Sequence, residues 1–144
     1  MEERYQSFDG GASLRPSFRE ALRLAKEQVK LADTARALQS AGEREIAEEL
    51  CKIIAEVYMM RDDKPIRISG EWLDGYIVKE VFREINEESF LAVIEGFGRL
   101  SDEIKNVKAY LRTMLYNSVF SIEAQYSNRV RHDLAHFSGR GFTG

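Results

Sequence analysis

The chain is poor in the residues that staple, break or metallate a fold. Among its 144 residues there are one cysteine, two prolines, two histidines and one tryptophan. A lone cysteine excludes a disulfide framework. Cys51 sits in the apolar helical run EELCKIIAEV, where a thiol reads as buried and inert rather than as a nucleophile. With so little proline, the long stretches between glycines are free to be helical. No apolar run approaches the roughly 18–20 residues that cross a bilayer. The opening MEERYQSFDGG has no apolar segment after its charges, so it does not read as a secretory signal. The expected location is cytoplasmic, with no membrane partner.

The same scarcity bears on catalysis. There is no G-x-S-x-G, and no glycine-rich phosphate loop opens a helix; Gly96-Phe97-Gly98 follows a helix and carries two glycines only. His132 and His136, with Asp133 between them, have the i,i+4 spacing that can chelate a metal on one helical face. They are the only histidines of the chain and no second cluster supplies further ligands. They read instead as exposed residues near a helix end, where the dipole favours positive charge. Asp62-Asp63 and Glu87-Glu88 read as turn and helix-start residues. The expectation is a protein without catalytic residues, metal or cofactor.

What is present is ordinary in amount and uneven in placement. Hydrophobic residues make up 44% and charged residues 31%, the balance of a globular chain with enough length for a core. The formal charge of −3 gives no overall case for nucleic acid. Residues 99–144, however, hold seven Lys/Arg against four acids, a local +3, while residues 1–98 hold the other 14 bases and 20 acids, a local −6. An acidic front and a mildly basic tail is the one global polarity.

Along the chain the dominant period is helical. Residues 1–16 read as a flexible lead, punctuated by Gly10-Gly11 and Pro16. Ser17, with Glu20 three residues on, predicts a capped helix over about 18–40 with a narrow stripe of Leu22, Ala25, Val29, Ala32 and Ala35. Gly42 breaks the pattern, and residues 43–60 form a stronger helix with Ile46, Leu50, Ile53, Ile54 and Val57 on one face; Glu48–Lys52 supports it. Ile66-Arg67-Ile68 alternates as an extended link near 65–69, too short to count as a sheet. Trp72 reads as a core plug. Asp74 caps a helix over 75–85 with Ile77, Val78, Val81, Phe82 and Ile85 inward. Asn86, or alternatively Ser89, caps a helix containing Phe90, Leu91, Val93, Ile94 and Phe97, which Gly96 and Gly98 close or pack tightly. Asn117-Ser118 suggests a break, after which Ser121 caps a last helix with Ile122, Tyr126 and Val130. The expected fold is all-α: one compact domain of about six helices over 17–137, with a flexible tail at 138–144.

The segment KNVKAYLRTMLYN, residues 105–117, carries the chemistry that survives. Val107, Tyr110, Leu111, Met114 and Leu115 form the apolar face of an amphipathic helix. Lys105, Lys108 and Arg112 share the adjoining face, where they can neutralise phosphates; Arg129 and Arg131 add to them. Tyr116 and Tyr126 can stack on unpaired bases. The competing reading is a solvated helix face on a protein-interaction module, with self-association through the 18–40 helix.

Two further stretches carry a family likeness. IRISGEWLDGYIVKEVF matches an I-R-I-x-G-E pattern followed by a V-K pair at Ile66, Arg67, Ile68, Gly70, Glu71, Val78 and Lys79. The next helix matches I-x-N-x-K-x-Y-L-x-x-x-L-Y-N at Ile104, Asn106, Lys108, Tyr110, Leu111, Leu115, Tyr116 and Asn117. A Y-x-x-x-V-x-H-D element follows at Tyr126, Val130, His132 and Asp133. Over residues 65–134 the chain resembles the C-terminal domain of replication initiator protein A of Gram-positive plasmids and integrative elements, and more distantly the DnaD-type C-terminal domain. The resemblance implies a small helical, DnaD-like fold and a non-catalytic part in plasmid or mobile-element replication, through contacts with DNA, with replication-machinery proteins, or both. It brings no catalytic residues. Asp74 and Gly75 stand where the pattern has a proline, and Ser118-Val119 replaces a small residue and proline. The winged-helix domain that opens full-length initiators has no counterpart before residue 65, so origin-specific binding is not implied.

Overall fold

The computed structural model describes residues 15–100 and 104–121, and within them the fold is an all-α bundle with one small hairpin. The elements are α1 (Phe18–Gln28), α2 (Leu31–Thr34), a 3₁₀ turn (Ala35–Ala37), α3 (Ala41–Met59), β1 (Ile66–Ile68), β2 (Glu71–Leu73), α4 (Gly75–Phe82), α5 (Glu87–Gly98) and α6, residues 107–121. Residues 1–14 of the expected lead, the tail at 138–144 and the last helix with Ile122, Tyr126 and Val130 lie outside the described residues, while Arg15 of the lead donates to Met59 O at 3.2 Å.

The caps read from sequence are made. Ser17 Oγ accepts from Glu20 N while the Glu20 carboxylate accepts from Ser17 N, closing the capping box of α1. Asp74 starts α4 through Tyr76 N. Asn86 starts α5, and Ser89 is the reciprocal member of its box rather than a rival cap.

The helix expected over 18–40 is not one helix. Val29 closes α1, Lys30 turns left-handed at φ 51°, and the short α2 and the 3₁₀ turn follow. The Ala-rich stripe has good helix propensity, but propensity is a weak prior against burial. The turn lets Thr34 bury its hydroxyl, donating to Val29 O at 2.8 Å, and brings Leu38 into the core in extended conformation. Ala32, expected in the stripe, is exposed.

Helix α3 is the centre. It begins at Ser40, whose Oγ accepts from Glu43 N, so Gly42 lies inside the first turn and breaks nothing. Ala47, Leu50, Cys51, Ile53, Ile54, Ala55 and Val57 are buried, a wider face than the sequence stripe. Glu48 does not pair with Lys52: it reaches Lys26 on α1 at 3.4 Å, and Lys52 pairs with Glu49 at 3.5 Å. The interhelical geometry takes Glu48 because α1 lies alongside.

Residues 66–73 form a sheet after all. β1 and β2 pair antiparallel with Ile66 opposite Leu73, Arg67 opposite Trp72 and Ile68 opposite Glu71. Ser69 (φ 55°) and Gly70 (φ 83°) make the two-residue turn with positive φ at both positions, whose twist suits a hairpin. Three-residue strands survive because Ile66 and Ile68 are buried in the core and because α6 binds the turn.

Four large residues expected inside are outside. Trp72 is 63% exposed, Ile77 54%, Val107 43% and Tyr110 37%. The pleat puts Trp72 opposite Arg67, away from the buried isoleucines. Helix α6 is rotated relative to its expected face: Leu111, Leu115, Ser118 and Val119 are buried, Met114 is half-buried, and Tyr110 is exposed. It runs without a break through Asn117-Ser118, and the buried Ser118 hydroxyl is satisfied by donating back to Leu115 O at 2.7 Å. Gly96 lies within α5 and leaves room for Met114 of α6.

Glycine replacement separates the two kinds of glycine in this fold. At Gly75 an added Cβ would stand 2.2 Å from Lys64 O and 3.0 Å from Arg61 O, so Gly75→Ala is expected to lose at least about 2 kcal/mol in urea denaturation. At Gly42 the nearest atom is Ser40 Oγ at 3.8 Å, and Gly42→Ala is expected to gain about 0.5 kcal/mol in the same measurement.

Candidate nucleic-acid interface

Of the residues singled out from sequence, Lys105, Lys108 and Arg112 lie along the start and first turns of α6, and Arg112 reaches the hairpin. Asn106 Oδ1 accepts from Ala109 N and starts α6, leaving Lys105 exposed just ahead of it. One turn on, Lys108 Nζ sits 3.1 Å from the Glu56 carboxylate of α3. The next cation, Arg112, donates to the Arg67 carbonyl of β1 at 3.4 Å, and its neighbour Thr113 accepts from Ser69 N at 2.9 Å. The basic edge of α6 therefore crosses from α3 to the hairpin. Lys108 is engaged in an ion pair; among the described residues no carboxylate lies within salt-bridge distance of Lys105 or Arg112.

The hairpin adds two residues that sequence reasoning missed. Arg67 and Trp72 are a direct cross-strand pair on the outward face, with the guanidinium carbon 5.4 Å from the indole centroid. That is cation–π distance. No described carboxylate pairs with Arg67. Nearby acids are mostly committed: Glu56 to Lys108, Asp62 to Lys79 at 2.8 Å, Asp63 to Arg61 at 2.6 Å, and Asp74 to its cap. The hairpin's own acid, Glu71, lies opposite Ile68 on the other side of the ladder. The signal for this pair was in the string I-R-I-S-G-E-W-L: a Ser-Gly two-residue turn sets Arg67 across from Trp72 once the isoleucines face inward.

Tyr116, expected as a stacking platform, is half-buried. Its ring packs against the core and against Phe120, with centroids 5.3 Å apart and planes at 55°. The exposed ring at this junction is Trp72 instead. Arg129, Arg131, Tyr126, His132 and His136 lie outside the described residues.

No group of three or more His, Cys, Asp or Glu among the described residues could hold a metal ion. Cys51 is fully buried. Burial pushes its thiol from 9.0 up to about 12, reinforced by Glu48 and opposed by Lys26. Tyr58 is likewise pushed from 10.0 up to about 12 by burial, against the lowering effect of its hydrogen bond to Gln28 and of Arg83. Both are groups of the fold. An open groove of about 800 Å³ lies along α1 and α2, where Arg23, Lys26 and Lys30 are already paired with carboxylates. No described helix is long and apolar enough to cross a membrane.

Residues 17–137 match a family of unknown function, DUF6017, and the chain belongs to that family. No curated protein and no solved structure matches it.

The buried thiol and phenol make pH a test of the fold. The unfolded chain releases these protons near 9.0 and 10.0, whereas the folded chain holds them to about 12. Their contribution to stability is therefore present in full below pH 9.0 and is lost as pH rises toward about 12. Urea titrations at increasing pH should show that decline, and at neutral pH Cys51 should react with an aromatic disulfide reagent only after denaturation.

Proposed function

We propose that this member of a family of unknown function is a non-catalytic helical module that binds DNA through its α6–hairpin junction. The observation that carries the reading is the meeting of Arg112 with Arg67 at one junction, with Lys105 exposed just ahead of the same helix, while the described acids are committed elsewhere or lie on the opposite side of the hairpin. Cations of that kind are available to phosphates, and each phosphate neutralised releases counterions. The setting is cytoplasmic replication of a plasmid or mobile element, alongside replication-machinery proteins. Support for that setting is the resemblance, whose first two motifs are in physical contact here: Ser69, in the I-R-I-x-G-E turn, donates to Thr113 of the I-x-N helix.

A second reading is a protein-interaction or oligomerisation module that does not bind DNA. It draws on Tyr76 and Ile77, 51% and 54% exposed at the start of α4.

Fluorescence anisotropy of end-labelled DNA distinguishes the two. The first reading expects binding at low salt that weakens steeply as salt rises. The triple variant Arg67→Glu, Lys105→Glu, Arg112→Glu should abolish binding, and each single reversal should lower the salt slope by about 1. Unchanged helical circular dichroism would show the variant still folded. No binding at low salt, together with a dimer or larger species in light scattering, would establish the second reading in its place.

A further inference from the structure

We propose that the Arg67–Trp72 pair is a stacking platform for an unpaired base, so that the DNA taken by this module is single-stranded. The inference rests on the DNA reading above and deepens it. An indole 63% exposed on a soluble surface is unusual, since so large an apolar group normally buries itself. Here the sheet register holds it out: the inward places of the ladder are taken by Ile66 and Ile68, and Trp72 is left opposite Arg67. The guanidinium fixes the ring from one side without covering it, as the remaining exposure shows. Every base has a π-face that stacks on such a ring, but in a duplex those faces are occupied by neighbouring base pairs. Only an unpaired base offers one. Phosphates on either side of that base meet the cations already at the junction: Arg67 itself, and Arg112, whose guanidinium donates to the Arg67 carbonyl. Ring and charge are thus arranged side by side, the combination that a backbone-tracking groove for single strands uses. Two-residue turns with positive φ at a non-glycine position are strained, yet Ser69 is held there by Thr113, which keeps the hairpin in one register against α6.

Trp72 is the only tryptophan of the chain, so its emission reports this site alone. The test titrates the full chain with an oligothymidylate of about 16 nucleotides and with a duplex of equal length. Indole emission and anisotropy of the labelled DNA are read together. The expected result is quenching by oligothymidylate, none by the duplex, and single-strand affinity at least about tenfold above duplex affinity. Trp72→Ala should lower the single-strand affinity by about tenfold and leave duplex binding unchanged, while Trp72→Phe should restore most of the loss in anisotropy. DNA binding without quenching, or a Trp72→Ala variant that binds oligothymidylate as the parent does, overturns the platform and leaves the DNA reading standing. Absence of binding to either DNA overturns both.

Discussion

The buried face of α3 is the constraint on which the other elements depend. Leu50, Ile53, Ile54 and Val57 are almost fully enclosed, and each contributes roughly 1.5–3 kcal/mol by leaving water. Ala47, Cys51 and Ala55 fill the places between them, and small residues there let neighbours come close. Helix α1 answers with Ala21, Ala25 and Val29, all fully buried. The contact then has to be locked in rotation, and polar groups do that. Gln28 at the end of α1 donates to the Phe82 and Ile85 carbonyls at 2.8 Å, and Tyr58 of α3 donates to the same glutamine. Three elements are tied at one point. The Phe82 carbonyl ends α4 and the Ile85 carbonyl lies in the turn that follows it, where backbone acceptors have no helical partner of their own.

The junction of α6 and the hairpin is a second consequence of that core. Ile66 and Ile68 must face the core, which leaves Arg67 and Trp72 outward. Helix α6 packs Leu111, Leu115 and Val119 into the same core, and this brings Thr113 and Arg112 to the hairpin turn. Positions 44 and 45 residues apart in the chain thereby share one surface. The outward charge and ring are by-products of inward packing, tied to α6 by the side chains of Arg112 and Thr113. The buried ammonium of Lys79, held by Asp62 at 2.8 Å, anchors the connection that leads into β1. Its carboxylate partner is largely exposed, so the pair avoids the full cost of burying two charges.

Much of this was legible from local signals. Ser17, Asp74 and Asn86 announce their helices because a cap depends on three or four consecutive residues. The centres of the core faces of α3 and α5 follow from period, but Ile46, Leu91 and Phe97 are only partly buried and Ala47, Cys51, Ala55 and Ser89 join the faces. The errors have a common form. Reading Trp72, Ile77 and Val107 as inward assumed that a large apolar residue is a core residue, whereas the pleat and the helix rotation decide each case. The continuous helix expected over 18–40 failed at Lys30, which has no left-handed preference and is turned by the burial of Thr34 and Leu38 around it. The candidate site was half visible: Lys105, Lys108 and Arg112 stand out as a basic edge, but their unequal engagement does not.

The sequence by itself determined the class of fold, the positions of most helix starts, the burial of Cys51 and the basic edge of α6, because each of these depends on composition or on neighbours within a turn. Tertiary structure alone decided which cation is spent on Glu56, which aromatic ring is left in solvent and which strand residue stands beside Arg112. Those outcomes depend on distances between segments some 24 to 57 residues apart, as with Tyr58, Phe82 and Ile85 around Gln28, and no local pattern encodes such a distance.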